Sequence, residues 1–152
     1  RILSFFDRET GTHNFQSDKA IDSITSGGFF GKGIGEGILK NRVPEAHTDY
    51  IISVISEEFG VVAIMLILLL FLIFIYMVFK KISFETDDKI KLILIGSISL
   101  ILMQATIHIG VNIRLFPTTG MTLPFLSYGG SSIISTSILA GIILNLTKRK
   151  IN

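Results

Sequence analysis

Three stretches of this chain are apolar at nearly every position, and a water-facing protein would have no way to cover them. Residues 60–79 (GVVAIMLILLLFLIFIYMVF) run for twenty positions without a charge. At about 1.5 Å per residue, such a helix crosses a hydrocarbon core of roughly 30 Å. A second run covers 92–113 (LILIGSISLILMQATIHIGVNI), and a third covers 132–147. The pattern predicts an all-α, polytopic membrane protein with three transmembrane helices, joined by loops at 80–91 and 114–131 and ending in a short tail at 148–152. The hydrophilic segment, 1–59, precedes them. Residues 1–48 are polar and crowd Gly27, Gly28, Gly31, Gly33, Gly35 and Gly37 together, which predicts a long loop with a short helix around Asp18–Thr25. From Thr48 onward Tyr50, Ile51, Val54, Ile55 and Phe59 recur at helical spacing, so a surface helix leads into the first span or forms its outer end.

Charge gives these elements an orientation. The net charge is +2, but residues 1–59 hold six basic and nine acidic side chains, whereas the remainder holds eight basic and three acidic. That split is not the continuous basic field of a nucleic-acid binder. Lys80, Lys81, Lys89 and Lys91 lie between the first two spans, and Lys148, Arg149 and Lys150 form the tail. The positive-inside rule therefore places both in the cytoplasm and puts 1–59 and 114–131 outside. Composition adds that 49% of the residues are hydrophobic and none is cysteine, which removes disulfides, thiolate metal sites and a cysteine nucleophile. The chain opens at Arg1 with neither a signal peptide nor a membrane span in its first residues, which reads as a piece of a longer protein.

The second span carries a polar stripe. Ser97, Gln104, His108 and Asn112 fall at i, i+7, i+11 and i+15, one helical face, which must turn toward protein or a wet cavity. Interhelical hydrogen bonding and a ligand-facing lining both fit. Small residues in the third span, Ser131, Ser132, Ser135, Thr136, Ser137 and Gly141, favour close helix packing.

Candidate chemistry concentrates outside. In Val43-Pro44-Glu45-Ala46-His47-Thr48-Asp49-Tyr50, Thr48 stands where a helix N-cap is expected and Asp49 in the first turn, where the helix dipole favours a carboxylate. An ionised Asp49 at the membrane face is suited to accept a proton from a hydroxyl or to hold a divalent cation beside a pyrophosphate; plain helix capping is the alternative. His47 with Asp49 is a weak metal pair, and no nucleophile elbow supports a Ser-His-Asp triad. Gly31-x-Gly33-x-Gly35 lacks the preceding strand of a dinucleotide-binding turn. Those glycines instead allow sharp turns, leaving Lys32, Lys40 and Arg42 to pair with phosphate or to form a solvated charged face. The second external segment, from Phe116 to Ser132, has Pro117, Pro124 and a Gly129-Gly130 pair at membrane depth. Irregular backbone there must be buried or line a cavity, either as a wall of the site or as a re-entrant turn into the last helix.

Two ordered blocks resemble a known family. Pro44-Glu45-Ala46-His47-Thr48-Asp49-Tyr50 with Glu57-Glu58-Phe59-Gly60, and Pro117-Thr118-Thr119-Gly120 through Leu123-Pro124-Phe125 to Ser127-Tyr128-Gly129-Gly130-Ser131-Ser132, resemble the FtsW/RodA/SpoVE (SEDS) family over essentially the whole chain. The wording Thr119-Gly120-Met121-Thr122-Leu123-Pro124 is closer to the division branch than to the elongation branch. The resemblance implies the C-terminal third of a ten-helix fold and a peptidoglycan glycosyltransferase that polymerises lipid II at the outer face of the bacterial cytoplasmic membrane during division. Its implied partners are lipid II, a class B penicillin-binding transpeptidase, other division proteins and membrane lipid. It implies Asp49 as the catalytic residue, with Pro44, Glu45, His47 and Thr48 shaping the site. Gln16, Lys32, Lys40 and Arg42 are implied as further substrate contacts, together with Pro117, Thr118, Gly120, Ser127, Tyr128, Gly129, Gly130 and Ser131. No cofactor is implied beyond a divalent cation, which stays open. His108, Arg114 and Lys19 depart from the family's frequent asparagine, glycine and glutamine. A lipid II flippase and a non-catalytic scaffold that recruits the transpeptidase are the competing readings.

Overall fold

The structure, a computed structural model, describes residues 12–38 and 46–148, without the side chains of 12–17. Among the described residues the chain is all α-helical, with α1 (Thr12–Gly27), α2 (Ile51–Phe84), α3 (Asp88–Asn112) and α4 (Gly130–Thr147). Helices α2, α3 and α4 are each long and apolar enough to cross a membrane.

Helix α1 is longer than the expected short helix around Asp18–Thr25. Its sequence has no strong apolar stripe, and packing supplies what periodicity does not. Ala20 is fully buried in a cluster with Ala46, Tyr50, Val54 and Val111, so α1 lies across the start of α2 and the end of α3.

Helix α2 is broken at Gly60, whose φ of 79° and ψ of −178° lie outside helical space. The loop after α1 repairs the break. In an unbroken helix the amides of Val61 and Val62 would bond the carbonyls of Glu57 and Glu58. Here Val61 N donates to Gly28 O (3.0 Å) and Val62 N to Phe29 O (3.4 Å), while Lys32 N donates to Glu57 O (2.8 Å) and Gly33 N to Glu58 O (3.1 Å). The loop thus inserts into the helix ladder and satisfies all four groups. This requires backbones in near contact: a Cβ on Gly60 would stand 2.2 Å from Phe29 O, and one on Gly31 2.2 Å from Glu58 O.

Helix α3 is the central element. One third of its most apolar window is buried, against 6% for α2 and 11% for α4. Asp87 caps its start by accepting from Lys89 N at 2.9 Å. Toward the end carrying Lys80 and Lys148, Val78, Leu94, Ile98, Ile101 and Ile143 join the three long helices. Toward the other end Ile52, Ala105 and Leu123 form a second cluster.

After α3 the chain reverses on Gly110, whose carbonyl accepts from Leu115 N and Phe116 N while the Phe116 ring packs where a side chain at 110 would stand. The following segment then dips back beside the helices. Thr122 meets Gln104, two turns and about 12 Å below the end of α3, and Pro124, Phe125 and Leu126 face Ile67, Leu70 and Phe71 of α2.

Candidate functional site

The turn Ala46–Tyr50 sits at the entrance of α2 and corrects one expectation. The helix begins at Ile51, with Tyr50 at the cap position and no side-chain cap, so Thr48 is not the N-cap and Asp49 is not in the first turn. The physical reason is that the segment's polar groups are claimed from elsewhere in the fold. Tyr128 N donates to the carbonyl of His47 (3.1 Å), Ser127 Oγ to that of Thr48 (2.8 Å) and Asn112 Nδ2 to that of Asp49 (2.9 Å). Three consecutive carbonyls are each held by a donor from the C-terminal half of the chain. Ser127 Oγ also accepts from Leu123 N (2.8 Å), which ties the clamp to the buried end of the re-entrant segment.

Asp49 is 8% exposed, with its carboxylate close to Gly120, where an added Cβ would stand 3.9 Å from Oδ2. Gly120 has φ 72° and lines an open cavity of about 450 Å³ with Gln104, Met121, Thr122, Ser131 and Ser132. Gly120, in the wall of that cavity, is where the second predicted block approaches Asp49 of the first. A larger one, about 700 Å³, lies at the far end among Phe74, Lys80, Lys81 and Thr147 and contains none of the predicted site residues.

The polar stripe of α3 is taken up by protein. Gln104 Nε2 donates to Thr122 O (2.9 Å) and Ser132 Oγ (2.9 Å), His108 Nδ1 meets Met121 O at 2.8 Å, and Asn112 is bonded on both ends of its amide. Because its partner is a carbonyl, His108 Nδ1 is the protonated nitrogen. Ser97 is buried. Of the small residues in α4, Ser132 and Thr136 serve packing, Ser132 through Gln104 and Thr122, and Thr136 by being 1% exposed. Ser131, Ser135, Ser137 and Gly141 are exposed, and Gly141 has open space around it among the described residues.

The remaining predicted residues fall in three groups. His47 is exposed and Thr48 half-buried beside Asp49; Pro117 and Thr118 are half-buried on the way down to Gly120. Tyr128 contributes its backbone and leaves its ring 78% exposed, while Gly129 and Gly130 start α4. Lys32 is committed to Glu57, with Nζ 3.1 Å from Oε1 of a carboxylate that is 2% exposed. Lys40, Arg42, Pro44 and Glu45 lie outside the described residues, as does the side chain of Gln16. Among the described residues no group of three or more His, Cys, Asp or Glu side chains is placed to hold a metal ion.

The family profile FtsW/RodA/SpoVE, described as cell cycle protein, matches residues 1–152. The chain belongs to this family. Relatives named probable peptidoglycan glycosyltransferase FtsW include those of Enterococcus hirae, 37% identical over 96% of this chain and 39% of the relative, and Caulobacter vibrioides, 38% identical over 93% and 36%. The Francisella salina relative is 42% identical over 87% and 34%. The chain therefore spans under two fifths of the length of these relatives. Among solved structures, a peptidoglycan synthase complex described as coordinating polymerization and crosslinking superposes with a TM-score of 0.77, at 27% identity, over 100% of this chain and 42% of the other.

Membership in the FtsW/RodA/SpoVE family makes Arg114 informative. It stands where the resemblance leads one to expect glycine, and its φ of 60° is a conformation glycine adopts without cost. Its guanidinium pairs with Asp18 of α1, which anchors the turn to that helix. Asn112 and Gln104 are the functional neighbours that sequence reasoning did not assign to the site. The stripe marked them as inward-facing, but only the tertiary fold brings Asn112 to Asp49 and Gln104 to the cavity wall.

Proposed function

We propose that this chain is the C-terminal part of a peptidoglycan glycosyltransferase that polymerises lipid II at the outer face of the bacterial cytoplasmic membrane, with Asp49 as general base. The observation that carries the reading is the clamp on His47, Thr48 and Asp49, which fixes a carboxylate beside a cavity at the end of the bundle opposite the lysine-bearing loop. Fixing a base against motion is what general-base catalysis requires of a fold. Asp49 takes the proton of the acceptor sugar's 4-hydroxyl as that oxygen bonds the anomeric carbon of the growing strand. The bond from that carbon to pyrophosphate breaks, and undecaprenyl pyrophosphate leaves.

The lining from Gln104, Gly120, Thr122, Ser131 and Ser132 supplies hydroxyl and amide groups to the cavity. His47, Thr48, Pro117, Thr118, Gln16, Lys40, Arg42, Pro44 and Glu45 belong to the same proposed site. A divalent cation at the leaving pyrophosphate is compatible with this chemistry. In this reading the protein is multi-pass, has a cytoplasmic C-terminus, works at the division septum with a class B penicillin-binding transpeptidase and other division proteins, and draws its substrate from the bilayer. The flippase reading loses support because the Gln104 and Asn112 amides of the stripe are bonded within the protein.

The test is lipid II polymerisation by the full-length protein, purified with its transpeptidase partner. Asp49→Asn is expected to lower the rate by about 100-fold or more while complex formation is unchanged. Strands made at the wild-type rate by the variant would overturn the assignment of the base, and strands from neither protein would overturn the polymerase reading.

A further inference from the structure

We infer that Asn112, at the end of α3, is a positioning residue for Asp49, acting from across the bundle as the N-cap that α2 lacks in its own sequence. Resting on the proposed role of Asp49, this names a second residue of the same site.

An α-helix exposes the amides of its first turn, and the usual remedy is a side-chain oxygen at the N-cap that accepts from the second or third helical amide. Tyr50, at the cap of α2, makes no such bond. The third helical amide, Ser53 N, is instead 3.3 Å from Asn112 Oδ1, which also accepts from Ser53 Oγ at 2.8 Å. The other end of the same amide, Nδ2, donates to the carbonyls of Asp49 and His108, both at 2.9 Å. Asn112 is 1% exposed and Ser53 fully buried, so neither bond is exchanged for water without cost.

One side chain therefore spends both of its donors and its acceptor on joining three elements. Its oxygen holds the start of α2, its nitrogen holds the residue proposed to react, and the His108 carbonyl fixes the orientation of the amide so that the two roles are not interchangeable. The link continues through His108, whose Nδ1 bonds Met121 O, next to the Gly120 that faces the Asp49 carboxylate. A rotation or slide of α3 would move the Asp49 backbone and the wall opposite its carboxylate together. The two preceding carbonyls, those of His47 and Thr48, are held from the re-entrant segment, whereas the Asp49 carbonyl is held from a membrane-spanning helix.

The two ends of the amide are separable by substitution. Asn112→Asp keeps an oxygen for Ser53 and loses the donor to Asp49, whereas Asn112→Leu loses both. With full-length protein and its transpeptidase partner, both variants are expected to lower kcat for lipid II polymerisation 10-fold or more with KM within twofold of wild type. Both variants should also lower the melting temperature, because each leaves the buried Asp49 and His108 carbonyls without their donor, so kcat is compared per folded protein. Should Asn112→Asp fail to fold, Ser127→Ala removes the neighbouring donor to the Thr48 carbonyl without touching the cap. It is expected to reduce kcat 3- to 10-fold at constant KM. Wild-type kcat in folded Asn112→Asp, or in Ser127→Ala where Asn112→Asp does not fold, overturns the inference, as does a loss that merely follows the folded fraction. Asp49→Asn measured alongside separates the two failures: if it stays active, the proposed base is wrong; if it is inactive while the Asn112 and Ser127 variants are normal, only the positioning role falls.

Discussion

Glu57 is 2% exposed and lies one turn before the break in α2, where a carboxylate would be costly without a partner. Lys32 supplies one from the repairing loop, and its own amide bonds the Glu57 carbonyl, so backbone and side chain make the same connection twice. Removing the cation alone leaves the carboxylate buried against a reduced set of partners. Lys32→Met is expected to destabilise the full-length protein by about 1–3 kcal/mol, at the lower part of the range for buried ion pairs because the ammonium is about one-third exposed. Lys32→Met combined with Glu57→Gln should recover most of that loss. Thermal unfolding of the two variants beside wild type checks both statements, and a double variant no more stable than the single one would mean that the pair is not what Lys32 is for. The same geometry explains why a lysine read from sequence as a phosphate ligand has a structural duty: nothing local in Gly31-Lys32-Gly33 announces a partner at position 57.

The elements themselves were largely legible. Lipid demands apolar surface at every turn of a spanning helix, so the runs beginning at 60, 92 and 132 had to be helices whatever they packed against. Helix ends are different, because they depend on which groups satisfy the exposed amides and carbonyls. Thr48 and Asp49 have the right side chains for a cap, yet the cap comes from Asn112, far away in sequence, and α2 starts at Ile51. The extent of α1 was hidden for a similar reason, since Ala20 is a weak sequence signal that packing made decisive. At Gly60 the sequence offered a glycine beside Glu57-Glu58-Phe59 but not the exchange of four backbone bonds with residues 28–33. That exchange predicts a specific failure. Gly60→Ala places a Cβ 2.2 Å from Phe29 O at a φ that an L side chain rarely adopts, so the loop must detach or α2 must straighten. Either way, hydrogen exchange at the amides of Lys32 and Gly33 should accelerate by about 10-fold or more, for each about 1.4 kcal/mol of lost local stability. Exchange at Ile98 and Ile101, in the far cluster, should not change. Unaltered protection at Lys32 and Gly33 would show that the loop is held by something other than the break.

At the scale of the whole bundle, charge and chemistry are at opposite ends. Lys81, Glu85, Asn145 and Lys148 line one cavity, which brings the loop after α2 and the tail after α4 together. Asp49, Gly120 and Ser127 meet at the other end, around the re-entrant segment. By the positive-inside rule the lysine-rich end is expected in the cytoplasm, and the proposed function then requires the carboxylate end to face outward. This orientation is a prediction the chain is well suited to test, because it contains no cysteine to confuse a label. In an otherwise cysteine-free full-length protein, Thr119→Cys and Glu85→Cys put single thiols near the two ends without altering Asp49 or its clamp. A membrane-impermeant maleimide added to intact spheroplasts should label Thr119→Cys and leave Glu85→Cys unmodified until the membrane is permeabilised. The reverse pattern would place Asp49 in the cytoplasm and would sink polymerisation at the outer face, even if the carboxylate proved essential. Labelling of Thr119→Cys only after permeabilisation, with Glu85→Cys also protected, would have the same consequence, since a site closed to the outside cannot receive an acceptor from that side.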